Sequence, residues 1–505
     1  MFRLKKNKNI ICTLRDREMN SVPSPYKYSL NIMCQLIQSD QTFYESSWFE
    51  QSTRPIMYDS GILYFDNHRK CYSIYGSKGQ PSATRLSDTN NSKKVKDVIS
   101  YSSPTFKMEC TCKLHPCTCL SKFIMYITED NWLIQRNPYS GVIYKQVYVK
   151  RTDRNFKFQY CDWNVYAEQF VLTTKLSPDD KEMFPQSDVV VNVAVFTVFP
   201  FEFKALLEIK RSVFGKACKH VNVADQLLIL GMGYDRVHIY SFDELMAKNT
   251  VTPYKLGDSY NLGYVGMHPT GLPLNCNLRF PPPLLFSVQS FGQTVDFGGF
   301  PYHCMYPSPN NHLSFIINQL QADGSSRKCY IESNIWNDEP NIVYFHPDNS
   351  NRIISREAQI VRCFQIVDSP SQVKVKEIFS MGFRTVNSCS TPEFSSFGRR
   401  IARIENLNLY TEKCIMAVDY DDEIDLIGIL GTCSNDPLSL GFIKLFDNLT
   451  GKEVKCVNLN RRLCETNYYQ LHVDLDVLII IEKNERNQFN AFLYKLTSVG
   501  NVLKE

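Results

Sequence analysis

The sequence lacks a long hydrophobic run. Its most apolar stretch, VVVNVAVFTVFPF over 189–201, is broken by Asn192 and Pro200 and runs into Glu202 and Lys204. That is well short of the roughly 18 apolar residues a spanning helix needs, so a buried strand is expected and no membrane association. The basic start (Arg3, Lys5, Lys6, Lys8) is followed only by the short Ile10, Ile11, Cys12 patch, which is not the apolar core of a signal peptide. A strong charge of one sign is missing too. Fifty-six Lys and Arg stand against 52 Asp and Glu, a net +4, so nucleic acid is not expected as the main ligand. The 18 cysteines show no framework spacing, and with no secretory start they are expected as reduced core thiols of a cytosolic or nuclear protein.

Local catalytic signatures are also scarce. Gly231-Met232-Gly233 lacks a third glycine and precedes a strand, so it reads as a turn rather than a dinucleotide loop. No phosphate loop, HExxH or GxSxG occurs, and neither enzyme activity nor a cofactor is expected. Cys110, Cys112, Cys117 and Cys119 surround His115 in CTCKLHPCTC. The Cys-x-Cys spacing keeps both sulfurs on a short extended segment, where CxxC would wrap a metal. The segment reads as a cysteine-rich surface loop, with a zinc site as the alternative. DYDDEIDLIGIL over 419–430 lacks the central glycine and closing glutamate of a calcium loop; it reads as a solvated turn before a core strand, or as a docking patch for a basic partner. Asn448-Leu449-Thr450 matches the glycosylation sequon but is not expected to meet the enzyme. Pro281, Pro282 and Pro283 exclude a central strand position, so 281–288 enters the fold as an edge or linker.

What the chain does have is apolar material: 43% hydrophobic residues, with 32 Phe and 28 Tyr, enough for a large core. Short β-branched and aromatic runs recur between turn clusters, as in 61–67, 71–76, 122–127 and 236–242. A hairpin repeats as well. NPYSGVIYKQVYV (137–149) and DNLTGKEVKCVNL (447–459) share a turn ending in Gly followed by an alternating strand. Repeated antiparallel hairpins over this length predict an all-β, irregular β-propeller of WD type with a short N-terminal helical segment. A pair of sandwiches or two smaller propellers are the alternatives. The expected organisation is a basic flexible tail at 1–27, an amphipathic helix and connection at 28–52, and the propeller at 53–500 with loop inserts near 76–121, 175–188 and 368–400. The helix, from about Ser29 to Gln38, places Leu30, Met33, Cys34 and Ile37 at i, i+3, i+4, i+7, and Ile32 and Leu36 widen its apolar face.

Six ordered blocks, at 54–71, 130–143, 193–215, 271–288, 343–354 and 418–426, closely resemble the DDB-one- and cullin-four-associated factor seventeen family. The resemblance covers about 28 to 495. It implies a substrate receptor of a cullin-4 RING E3 ubiquitin ligase, working in the nucleus and nucleolus and recruiting an unknown protein target through the damaged-DNA-binding adaptor. The Trp-Asp-x-Arg motif of many such receptors is absent, since Trp163 follows Asp162 and precedes Asn164. Adaptor docking is therefore assigned to Leu30, Met33, Cys34, Leu36 and Ile37 in a helix-in-groove mode, with the helix as a cap on the propeller as the alternative. The competing function is a nucleolar ribonucleoprotein-binding scaffold without ligase contact; a dispersed catalytic site in a propeller channel is a third reading.

Overall fold

Period-two alternation gives each short run one face for the core and one for its neighbour, and in the computed structural model these runs pair antiparallel into eight four-stranded sheets among the described residues. The structure describes 31–498 except for connecting segments, the longest being 75–83, 89–94, 102–122, 137–142, 151–156, 175–187, 255–270, 333–341, 383–412 and 434–439. The sheets are the blades of an eight-bladed propeller. Blades 1 to 7 span 57–88, 95–148, 158–210, 218–289, 296–332, 342–382 and 413–458, each with its strands in sequence order from axis to rim.

Blade 8 is built from both ends of the described chain. Tyr468–Asp474, Val477–Lys483 and Phe489–Ser498 supply its inner three strands, and Gln41–Ser52 pairs with Phe489–Ser498 as the outermost. Residues 41–52, expected as a connection, therefore belong to the propeller and close its ring. The pairing ties both ends of the described chain into one blade, so the ring cannot open there without breaking the ladder between Gln41–Ser52 and Phe489–Ser498. Two expected inserts are corrected similarly. Thr84–Asp88 and Val95–Tyr101 are strands of blades 1 and 2 within the expected 76–121 loop, and Val373–Gly382 is the outer strand of blade 6 within 368–400. Those strands are short or polar on one face, so their apolar signal is weak. The Cys110–Cys119 cluster and the 1–27 tail lie outside the described residues.

The core lies between adjacent blades. Middle strands such as Phe123–Thr128 are buried on both faces, which explains their unbroken apolar runs. The run at 189–201 resolves into Val189–Val198 and the start of Phe201–Lys210, its hairpin partner in blade 3. The repeated hairpin is the third-to-fourth strand turn of blades 2 and 7: Trp132–Arg136 with Ile143–Tyr148, and Phe442–Asp447 with Glu453–Asn458. In the second, Gly451 has φ +66° and a Cβ there would stand 2.4 Å from Phe379 of blade 6, so both the turn and the blade contact require glycine.

Three short helices occur among the described residues: α1 at 31–36, α2 (Arg211–Phe214) and α3 (Phe242–Lys248). The last begins on a capping sequence, Ser241-Phe242-Asp243-Glu244, in which Ser241 Oγ accepts from Glu244 N at 3.1 Å. Because strands alternate in direction, turns between first and second and between third and fourth strands share one face of the propeller, here called the lower face. The start of Gln41–Ser52, and with it α1, lies on that face.

Candidate functional site

Helix α1 packs on blades 7 and 8. Ile32 and Leu36 are buried in one cluster with Phe43, Leu445, Leu459 and Leu478, and Met33 packs against its edge. Lys455 Nζ donates to Gln38 O at 3.1 Å, satisfying a carbonyl just past the helix end. The five residues assigned to adaptor docking are thereby divided. Leu36 is 1% exposed and faces the propeller, Ile37 is 65% exposed and faces away, and Met33 and Cys34 are half-buried between them. Leu30 lies outside the described residues. Behind the helix, Glu45 of the closing strand takes hydrogen bonds from Arg461 Nη2 at 2.6 Å and Tyr494 OH at 3.1 Å. The Arg461 guanidinium also stacks 3.3 Å above the Phe492 ring centroid, so charge, hydrogen bonds and cation–π attraction hold the closure together.

Next to this closure lies a polar network between blades 6 and 7. His346 Nε2 is 2.7 Å from Asn448 Oδ1, and Asn448 Nδ2 donates to Asp425 Oδ1 at 2.7 Å. Tyr420 OH donates to the same Asp425 oxygen at 3.0 Å, and Arg352 Nη1 donates to Asn448 O at 2.6 Å. His346 Nδ1 lies 3.1 Å from Asp348 N and 2.8 Å from Asp348 Oδ1, so the ring can accept from the first when neutral or donate to the second when charged. In either state Nε2 keeps its proton for Asn448. Burial opposes charge on Asp348, but hydrogen bonds from His346, Ser350 and Arg352 overrule it and hold the carboxyl well below its ordinary range. Asn448 is buried with both ends of its amide engaged, so a glycan on it is incompatible with this packing.

The acidic run at 419–425 is corrected in part. Asp422 and Glu423 are exposed, as a solvated turn requires, but Asp421 is buried. Its Oδ1 accepts from Glu423 N and Ile424 N at 2.8 and 2.9 Å, and its Oδ2 from Leu475 N of blade 8 at 3.0 Å. Burial raises the Asp421 carboxyl to about 7 and the Asp419 carboxyl to about 6. Packing against blade 8 is what turns these carboxylates inward, a relation that local polarity does not reveal.

Asp419 belongs to a device that sequence reasoning missed. On the first strands of blades 1, 2, 5 and 7, Asp59, Asp97, Asp296 and Asp419 each accept a hydrogen bond from a backbone N–H of the next blade's first strand. The donors are Ser100, Cys161, Phe345 and Val473, at 2.8, 2.8, 3.2 and 2.7 Å. Between blades 8 and 1 the link is Tyr58 OH donating to Asp474, with the Tyr58 and His472 rings 4.9 Å apart. Burial lowers His472 to about 4 and raises Asp97 and Asp296. The available signal was the recurrence of a lone Asp in an apolar strand, as in Val295-Asp296-Phe297 and Val418-Asp419-Tyr420. These carboxylates are occupied in joining blades. Among the described residues no group of three or more His, Cys, Asp or Glu could hold a metal ion, and no helix is long and apolar enough to cross a membrane.

Comparison with known proteins places this architecture in a family. The chain is 25% identical to DDB1- and CUL4-associated factor 17 of Homo sapiens over 485 residues, covering 93% of this chain and 91% of the human protein. The protein of the same name from Danio rerio is 26% identical, covering 93% and 90%, and that from Mus musculus 24%, covering 93% and 91%. Among solved structures, the C-terminal WD40 domain of Sif2 is similar at a TM-score of 0.41 and 10% identity, over 90% of this chain and 98% of that one. The family model for DDB1- and CUL4-associated factor 17 matches residues 28–496, from just before α1 to the last strand of blade 8. The chain belongs to the DDB1- and CUL4-associated factor 17 family.

Proposed function

We propose that this protein is a non-catalytic substrate receptor that recruits a target to a cullin-4 RING ubiquitin ligase through the adaptor DDB1, in the nucleus and nucleolus. The observation that carries the reading is the span of the family match, 28–496, which takes in helix α1 and all eight blades rather than one propeller repeat. The geometry of α1 supports it. Ile32 and Leu36 commit one side of the helix to the propeller, which fixes the helix in place and presents Ile37 outward on the lower face. The adaptor meets that outward edge: Ile37 is the anchor, Met33 and Cys34 flank it, and Leu36 supports the helix from beneath. Burying Ile37 in a partner groove contributes about 1.5 to 3 kcal/mol before ordering costs.

Affinity purification of the full chain from nuclear extract at near-physiological salt tests this. Recovery of DDB1 and cullin-4 subunits in constant ratio to the chain is the expected result. Recovery of nuclease-sensitive RNA–protein particles without ligase subunits would replace the reading with that of a nucleolar scaffold.

A further inference from the structure

Blade 4 carries a cleft that neither adaptor docking nor ring closure uses. It lies where the third strand, Arg236–Ser241, gives way through α3 and a long connection to the outer strand, Leu284–Gln289. The cleft has a volume of about 520 Å³ and is lined by Leu245 and Lys248 of α3, by Arg279 and Phe280, and by Pro281 to Pro283. That size falls within the range of pockets that take a few residues of a ligand.

Its walls are rigid for identifiable reasons. Asn275 Oδ1 accepts from Leu206 N at 2.7 Å, while its Nδ2 donates to Lys204 O and Thr252 O at 3.2 and 3.0 Å. Cys276 and Leu278 are buried beside it. The chain is therefore pinned to blade 3 just before it reaches Arg279, and three consecutive prolines fix the backbone just after Phe280. Between these two restraints stands Phe280, 78% exposed. A large aromatic ring held in water on a restrained backbone loses little conformational freedom when a partner covers it.

The charge of the cleft selects the partner. Among the described residues its lining includes two cationic side chains and no carboxylate. Lys248 already pairs with Glu244 at 2.6 Å, whereas exposed Arg279 has no hydrogen bond or ion pair among the described residues. A guanidinium without a partner among the described residues, beside an exposed aromatic ring, suits a carboxylate next to an aromatic side chain. Pro281 and Pro283 are exposed and carry carbonyl acceptors and no N–H donors, which suits the N–H groups of an extended segment.

We propose that this cleft binds an extended acidic peptide segment carrying an aromatic residue, its carboxylate on Arg279 and its ring against Phe280. The assignment of that segment to the ubiquitination target rests on the receptor reading; the peptide binding itself does not.

The test is selection of a random dodecapeptide phage library on the immobilised full chain, followed by fluorescence anisotropy with the synthetic consensus peptide. Enriched sequences are expected to place Asp or Glu within a few residues of Phe, Tyr or Trp. Arg279→Glu and Phe280→Ala should each weaken the consensus peptide at least about tenfold, and Arg279→Lys should weaken it less. Both positions are exposed, so the melting temperature should not move, and DDB1 recovery should be unchanged. Enrichment without acidic residues, or a consensus peptide that binds the Arg279→Glu chain equally well, overturns the proposal. Loss of DDB1 recovery in Arg279→Glu also overturns it, because the cleft would then be an adaptor contact. Failure of the unaltered chain to recover DDB1 sinks the receptor reading and leaves peptide binding standing.

Discussion

His346 Nε2 lies 2.7 Å from Asn448 Oδ1, so the first turn of blade 6 is fastened to the last turn of blade 7 through a hydrogen bond between two fully buried side chains. Removing either partner leaves one buried polar atom of the other, His346 Nε2 or Asn448 Oδ1, without its hydrogen bond. His346→Ala and Asn448→Ala are each expected to lower the unfolding free energy by about 2 to 4 kcal/mol. The double variant should cost less than the sum, because both changes break one bond. Urea titration of the four proteins measures this, and additive losses would show that the two side chains act independently.

Gly451 should tolerate no side chain. Its φ of +66° and the approach of Phe379 combine backbone strain with a clash between blades, and Gly451→Ala is expected to cost about 1 to 3 kcal/mol. Adding Phe379→Ala relieves the clash but not the strain. The alanine at 451 should therefore cost less in the Phe379→Ala background; an equal cost in both backgrounds would assign the whole effect to φ.

Stability should carry a pH dependence written by Asp421. Its carboxyl sits near 3.8 in an ordinary environment and is raised to about 7 by burial, so between those values the folded chain binds more protons than the unfolded chain. Stability from this group is present at low pH and is lost as pH rises through that window, on the order of 2 to 4 kcal/mol in all. Asp419, raised to about 6, acts in the same sense. His472, lowered to about 4 by burial, acts in the opposite sense, losing stability as pH falls below its ordinary 6.5. The informative quantity is therefore the difference between the unaltered chain and Asp421→Asn. That variant gives up the Leu475 N–H bond, costs about 1 kcal/mol at pH 5, and should close the gap or overtake by pH 8. Parallel stability curves from pH 5 to 8 would contradict this.

The two neighbouring helix residues Leu36 and Ile37 should part company under mutation. Leu36→Ala is expected to destabilise the chain by about 2 to 5 kcal/mol, since the side chain lies in the cluster that joins the helix to blades 7 and 8. Ile37→Asp should leave the melting temperature within a few degrees and abolish DDB1 recovery. If the Ile37→Asp chain still recovers DDB1, the adaptor docks elsewhere; thermal scans alongside co-purification separate the two roles.

Much of the strand content and the antiparallel pairing was legible locally. A turn ending in Gly followed by an alternating strand is a short-range signal, and it identified the third-to-fourth strand hairpins at 137–149 and 447–459 because everything that stabilises the turn lies within a dozen residues. The helix was legible for the same reason, since the spacing of Leu30, Met33, Cys34 and Ile37 is a local property. Its orientation was not, because Ile32 and Leu36 make the apolar face wide enough to present either edge to the blades.

What the sequence by itself determined is an all-β chain of hairpins with one short amphipathic helix ahead of it, and the family to which it belongs. Only the tertiary structure decided how the ring closes and how its blades are joined. Glu45 meets Arg461 and Tyr494 across more than 400 positions of sequence, and Asp421 reaches Leu475 across 54. A period-two pattern states which face of a strand is apolar, but it carries no record of which strand edge or backbone N–H will stand opposite. Those partners are selected by packing of the blades, and through desolvation the same packing moves Asp421 from an expected surface turn to a buried joint between them.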